Sequence, residues 1–292
     1  MTLVFLLAGG CAMGATRGVE TTIAGALVTP EQENQIGLQL KNELDTKQKI
    51  VYMTDPAVVG YVRTVATKVT DLGKKDRPEV TWQIFVIDDA STVNAFATPG
   101  GYLYVYRGLL EAAGNEAELA GVMAHEAGHV VARHAARSLV AQNGLQAVAA
   151  LATGDNPGLL AQLTTGIATQ GLLLKHSRAD ETEADEYGAR YAAAAGYDPH
   201  AFVTFFGRLQ QQEGSVPGVL TYLSDHPATS ERIEHLNQYI ASQGLTGSET
   251  GQVAYAQMRK RLKTLPVAKP AKGGGAPPGA PAAPPAGAPP PV

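Results

Sequence analysis

The chain of 292 residues carries a net charge of −4 at pH 7 and contains one cysteine. This mild charge and the scattered basic residues argue against a nucleic acid as partner. One cysteine excludes a disulfide bond within the chain. The sequence has no internal repeat, which argues against a solenoid. Its length is sufficient for one large domain with a core of its own.

The chain begins with a short apolar run at residues 3–8, followed by small residues and Cys11. This run is too short to span a bilayer, and no other stretch has 18 unbroken apolar residues. The pattern is similar to a bacterial lipoprotein signal, whose cysteine is lipidated. We therefore expect a lipid anchor at Cys11, on the periplasmic face of the outer membrane if the host has one. The alternative is an ordinary N-terminus with a chance cysteine.

The composition divides the chain into three segments. We expect a lipoprotein signal and linker in residues 1–20, and one domain in residues 21–265. We expect a disordered tail in residues 266–292, because Pro, Ala and Gly leave almost nothing there to bury.

Two amphipathic helices are predicted near the start of the domain. The first begins at a Thr-Pro pair, and the second is expected to end at Gly73. Their apolar faces are formed by Ile36, Leu40 and Leu44 in the first helix, and by Val58, Val62, Val65 and Val69 in the second.

In residues 79–88 and 101–108 the spacing of apolar residues changes from the helical repeat to the apolar–polar alternation typical of strands. A polar loop lies between these two segments. We predict a small antiparallel β-sheet from these two segments. Residues 99–106 are expected to be an edge strand that pairs with an extended peptide, or alternatively an interior strand. The remainder predicts several helices, so the fold class is α+β and mostly helical. Residues 144–174 are apolar and Gly-rich, and are either a lid or a core hairpin.

The next helix is expected to start at the N-cap Asn115, with Glu118 three residues on as in a capping box. On it His125 and His129 are four residues apart, so they share a face and can hold one ion. Glu126 is placed beside them to act on a water molecule. This HExxH arrangement is typical of zinc hydrolases.

The alternative interpretation is that these are merely polar residues on an exposed face. The neighbours Ala124, Ala127 and Gly128 are small and favour a buried helix. Buried imidazoles without partners are costly, which favours a metal site.

A catalytic zinc ion usually keeps three protein ligands, so a third ligand is needed. In a later helix, Glu181 and Asp185 share a face with Ala184 and Gly188. We predict Glu181 as the third ligand and Asp185 as the partner that orients a ligand histidine. Glu186 is expected to pair outward with Arg190. The alternative is a solvated acidic helix.

Four segments together resemble metallopeptidase family forty-eight over residues 30–240. They are NAFATPGGYLYVYRGLL, ELAGVMAHEAGHVVARHAAR, SRADETEADEYG and DHPATSERI. The resemblance implies a gluzincin, zincin-like metalloprotease domain with one Zn²⁺ per chain. It implies His125, His129 and Glu181 as ligands, Glu126 as general base and Asp185 as the aspartate of the ExxxD motif. Because the sequence shows no membrane spans, it resembles the soluble periplasmic lipoprotein branch of that family.

The resemblance also implies that His226, in a His-Pro pair, approaches the metal. It is expected either to stabilise the oxyanion or to latch the site closed, with Arg232 assisting. The alternative is a turn at the start of a helix, fixed by Pro227. We interpret His176 as a surface residue rather than a ligand. The remaining histidines lack ligand spacing and are interpreted as structural or exposed: His134, His200 and His235.

The sequence therefore predicts a zinc endopeptidase that cleaves misfolded or unassembled cell-envelope polypeptides. The alternative is a chaperone-like protein that binds unfolded outer-membrane clients, with a protease site that is latched or incidental. A pure binding protein has no need of Glu126, which favours the enzyme.

Overall fold

The structure, a computed structural model, describes residues 27–170, 175–212 and 219–267. The predicted lipoprotein signal, Cys11 and almost all of the predicted tail lie outside the described residues. Among the described helices, none combines the length and the apolar character needed to cross a membrane.

The described part of the chain is mostly helical with one small sheet, as predicted. The helices are α1 (Pro30–Thr46), α2 (Pro56–Asp76), α3 (Arg107–Ala112), α4 (Glu116–Val131), α5 (His134–Asn143), α6 (Leu145–Thr153), α7 (Pro157–Gln170), α8 (Arg178–Ala194), α9 (Ala201–Gln212), α10 (Val219–Asp225), α11 (Ser230–Ser242) and α12 (Gln252–Thr264). The strands are β1 (Gln83–Ile87), β2 (Ala95–Thr98) and β3 (Tyr102–Tyr106).

The first two helices begin where their caps predict. Thr29 and Gln32 form a reciprocal capping box at α1, and Asp55 accepts a hydrogen bond from the backbone N–H of Val58 at α2. Helix α2 does not end at Gly73, as predicted, but continues to Asp76. Gly73 is instead a packing residue, because an added Cβ would lie 3.3 Å from the Trp82 ring.

The sheet is mixed, so the prediction of an antiparallel sheet is wrong. Strand β1 pairs in parallel with β3, and β2 pairs antiparallel with β3, in the order β1-β3-β2. Strand β2 lies inside the segment that we predicted to be a polar loop. It forms a tight hairpin with β3 through Gly100 and Gly101, whose positive φ angles of 85° and 93° suit glycine. Strand β3 is therefore the interior strand, which was the alternative prediction for this segment, and β1 and β2 are the outer strands of the described sheet.

The two faces of the sheet contribute to two cores. Leu103 and Val105 pack with α2, α4 and α9, whereas Tyr102, Tyr104 and Tyr106 point into a second core with α1, α6 and α7. This second core includes the buried residues Val148, Leu151, Leu159, Leu163 and Ile167. Of the two alternatives for residues 144–174, the core hairpin is therefore confirmed for the described residues.

Helices α4 and α8 pack side by side at very short range. A Cβ added at Gly128 would lie 2.9 Å from the carbonyl oxygen of Ala184, and one added at Gly188 would lie 3.1 Å from the backbone nitrogen of His125. Two glycines, one on each helix, thus allow the backbones to approach closely. The helix that carries both histidines is held directly against the helix that carries Glu181 and Asp185.

We expect Gly128→Ala to destabilise the protein by about 1–3 kcal/mol, because the new methyl group has to push backbone atoms apart. Gly60→Ala is the matched control: Gly60 lies in α2, and an added Cβ there meets nothing within 4 Å. That variant should gain roughly 0.5–1 kcal/mol from helix propensity. Urea denaturation gives both values. Equal effects of the two substitutions would contradict the close packing of α4 and α8.

Candidate metal centre

Helix α4 is capped and buried along its whole length. The Asn115 side chain accepts a hydrogen bond from the backbone N–H of Glu118, as predicted. The Glu118 carboxylate does not close the capping box but accepts from Gly114 and Arg208 instead. Within α4, His125, Glu126 and His129 are only 0%, 3% and 4% exposed. Imidazoles buried to this degree need polar partners.

The three predicted ligand side chains converge on one point. The Nε2 atoms of His125 and His129 are 3.0 Å apart. The Glu181 carboxylate lies 3.5 Å from the first of these atoms and 3.4 Å from the second. A tetrahedral ion with bonds of 2.0–2.1 Å has ligand atoms about 3.3 Å apart, so these separations suit the edges of such a site. Together with His226 the three residues form a buried group that could hold a metal ion.

Asp185 orients His125 and is itself held by an arginine. The Nδ1 atom of His125 lies 2.9 Å from Asp185 Oδ1, which leaves Nε2 to face Glu181. Arg232 donates to both oxygens of Asp185, at 2.5 and 2.7 Å, and lies 2.8 Å from Glu181. Residues from α4, α8 and α11 thus form one buried ionic network, in which each carboxylate has a cationic or imidazole partner.

The carboxylates of this network favour positive charge on His125. Burial alone would lower the pKa of His125, but the carboxylates of Asp185 and Glu181 outweigh it and raise that pKa to about 9. Burial opposes ionisation of Glu181 as well, yet the charge of His226 and hydrogen bonds from the histidines hold its pKa well below the usual range. The same field would stabilise a metal cation.

Glu126 stands at the centre without a bond to the three converging side chains. Burial raises the pKa of its carboxyl group. Its Oε1 atom is buried and makes no hydrogen bond to any described residue, at 3.4 Å from Nε2 of His226. An unpaired buried carboxylate oxygen is costly unless something else occupies the position beside it, such as a reacting water molecule.

His226 is also drawn into the centre, from the end of α10. Its Nδ1 atom lies 3.0 Å from Glu181 and 3.2 Å from Nε2 of His125. The preceding residue, Asp225, accepts a hydrogen bond of 2.9 Å from Asn94, which fixes this segment beside β2. The turn around Pro227 is present too, since its carbonyl oxygen accepts from Arg232.

The other histidines differ in their surroundings. His176 is not a free surface residue, because its ring is half-buried and stacks on that of His129 with centroids 4.0 Å apart. Burial lowers its pKa to about 3. His134 is fully buried and touches His129, which sequence reasoning missed. His200 and His235 are exposed, as predicted, and His235 rather than Arg190 pairs with Glu186.

Comparison with known proteins adds the family context. The sequence profile of Peptidase family M48 matches residues 56–240, more than half of the chain. The chain is 36% identical over 162 residues to mitochondrial metalloendopeptidase OMA1 of Schizosaccharomyces pombe, which covers 56% of this chain and 48% of OMA1. It is 27% identical over 221 residues to the beta-barrel assembly-enhancing protease of Yersinia pestis, which covers 73% of this chain and 44% of that protein. It is 30% identical over 212 residues to metalloprotease LoiP of Escherichia coli, which covers 71% of this chain and 80% of LoiP. The chain spans about half the length of the first two relatives.

We expect protein loaded with zinc and then dialysed to retain about one ion per chain, and Glu181→Ala to lose most of it. The matched control is Glu186→Ala, on the same helix but facing His235 at the surface. Metal analysis by mass spectrometry measures the content of each protein. Full zinc in Glu181→Ala would remove Glu181 from the ligand set.

Proposed function

The chain belongs to peptidase family M48, and we propose on that premise that it is a zinc-dependent endopeptidase. Its substrates in this proposal are misfolded or unassembled cell-envelope proteins. The observation that carries the proposal is the convergence of His125, His129 and Glu181 beside a buried carboxylate, Glu126, with an unpaired oxygen. Binding alone would need no such base.

The donor set fits zinc. Two imidazole nitrogens and one carboxylate oxygen are the ligands of many catalytic zinc sites, which keep one further position open. His125, His129 and Glu181 would hold the ion. When bound, zinc supplies a Lewis acid that activates water and polarises the scissile carbonyl group.

The protein side chains would then carry the proton. Glu126 takes a proton from the attacking water and passes it to the leaving amine, as a general base and then a general acid. Its raised pKa suits this double role, since the group has to hold the proton between the two steps. Arg232 and Asp185 keep Glu181 and His125 in place during the reaction.

We assign His226 to a latch. Its two ring nitrogens face Glu181 and Glu126, so the ring occupies the space between the ligands and the base. A substrate carbonyl group needs this same space. Opening therefore requires His226 to withdraw. The alternative role is stabilisation of the oxyanion by the imidazole as a hydrogen-bond donor.

An extended peptide would add to β2. Among the described strands, β2 pairs with β3 alone, and it packs against α4, the helix that carries Glu126. Pairing with an edge strand gives affinity through the main chain and little sequence preference. Such recognition suits unfolded clients of varied sequence.

The envelope setting rests on the relatives. The name of one of them, a beta-barrel assembly-enhancing protease, supports a protease that acts on envelope proteins, and the name metalloprotease LoiP supports a metal-dependent protease. We place the protein in the periplasm, anchored to the outer membrane by lipid at Cys11. The alternative of a chaperone-like binder is favoured only by the position of His226, which blocks the centre.

We expect Glu126→Gln to retain zinc but to lose peptide cleavage by roughly 10²–10⁴-fold, because the amide cannot accept the proton. His226→Ala should raise the rate, since the latch is removed. Cleavage of casein by both variants and by the exposed control His200→Ala, at equal zinc content, measures these effects. An active Glu126→Gln protein would contradict the mechanism. A loss of roughly 10²–10³-fold in His226→Ala would replace the latch by oxyanion stabilisation.

A lipid anchor at Cys11 makes a separate prediction. The wild-type protein should fractionate with membranes, and Cys11→Ala should be found in the soluble periplasmic fraction. Immunoblotting of the fractions distinguishes the two. Membrane association that persists in Cys11→Ala would count against the anchor without affecting the peptidase.

A further inference from the structure

The second ligand histidine has a buried partner that is itself a histidine. Nδ1 of His129 lies 2.7 Å from Nδ1 of His134, and the two rings meet at 71°. Between two ring nitrogens at this distance there is one proton, carried by one ring and accepted by the other. Which ring carries it decides whether His129 can bind a metal through Nε2.

The far side of His134 settles the direction of this hydrogen bond. Its Nε2 atom lies 3.1 Å from Glu183 Oε2 and 3.6 Å from Asp180 Oδ1. Ionised carboxylates only accept, so Nε2 of His134 carries the proton. Arg137 lies 3.1 Å from Asp180 and 3.2 Å from Glu183, which keeps both carboxylates ionised. In neutral His134 the lone pair is then on Nδ1, and it accepts from the Nδ1–H of His129.

The direction of this hydrogen bond determines the state of Nε2, the other ring nitrogen of His129. The 2.7 Å contact of Nδ1 with His134 outweighs the longer, 3.4 Å contact of Nε2 with Glu181, so the proton stays on Nδ1. The lone pair of Nε2 is then directed toward the point between His125 and Glu181 where a cation would lie. The Asp185 carboxylate, 2.9 Å from Nδ1 of His125, favours the same tautomer in that ring. The two ligand histidines are thus oriented differently, one directly by an anion and the other through an imidazole.

An unusual turn brings His134 into this position. Helix α4 ends at Val131, and Arg133 adopts a left-handed conformation with φ 62° and ψ 30°. Residues other than glycine rarely adopt the left-handed conformation, so the surrounding structure has to stabilise it here. The Arg133 side chain is held by Glu33 at 3.1 Å. After this turn His134, five residues beyond His129, meets the Nδ1 edge of the His129 ring.

We propose that His134 and Glu183 are positioning residues that fix the tautomer and orientation of His129, through the relay Glu183···His134···His129. This inference rests on the proposed zinc peptidase. Losing such an outer partner of a ligand histidine typically weakens metal binding by about 10–100-fold.

Two substitutions of nearly equal shape isolate the hydrogen bond. Asn places its side-chain oxygen close to the position of Nδ1 of histidine, whereas Leu places a methyl group there. Both shorten the reach toward Glu183. We expect His134→Leu to bind zinc 10–100-fold more weakly than wild type and His134→Asn to stay within a few-fold of it. Competition with a chromogenic chelator gives both constants, with the exposed His200→Leu as control.

The tautomer can be read without any metal. Long-range ¹H–¹⁵N NMR spectra of the zinc-free, full-length protein should show the proton of His129 on Nδ1 in the wild type. In His134→Leu, a fraction of the molecules should carry this proton on Nε2 instead. The proposal is overturned if wild-type His129 carries its proton on Nε2, or if Leu and Asn weaken zinc binding equally. It is overturned also if His134→Leu binds zinc like wild type. A wild type that binds no zinc would instead contradict the proposed function, and the NMR result would still decide the tautomer.

Discussion

The whole site depends on the close contact between α4 and α8. Gly128 and Gly188 let the two backbones touch, so that the faces carrying the histidines and the carboxylates meet without intervening side chains. A larger residue at either position would push Glu181 away from the Nε2 atoms it now faces at 3.4–3.5 Å. Both glycines cost helix stability. This cost is compensated by packing that creates the site.

A second constraint is charge. Glu126, Glu181 and Asp185 are all buried within one small volume, and uncompensated they would strongly destabilise the fold. Arg232 offsets part of this repulsion by contacting two of them from α11. The histidines supply the remaining partners, and a bound cation would add to them. The site therefore ties together helices that are far apart in sequence, and metal binding and stability are coupled.

The sequence predicted the helices and the converging residues better than the sheet. Helix α4 has a strong cap and a clear periodicity, and its HExxH spacing is a local pattern that a helix translates directly into geometry. Strand β2 has only four residues and follows a polar run, so its pairing, and with it the parallel partnership of β1 and β3, depends on tertiary contacts. The role of His134 was hidden for a similar reason. It depends on the left-handed turn at Arg133, which no local pattern indicates.

The most direct test of the central claim is anomalous diffraction at the zinc edge from crystals of the zinc-loaded protein. The account predicts one peak bonded to Nε2 of His125, Nε2 of His129 and the Glu181 carboxylate, at about 2.0–2.2 Å from each. A peak held by the neighbouring His129, His134 and His176, which could also group around an ion, would contradict it. So would a zinc ion at the centre that Glu181 does not touch.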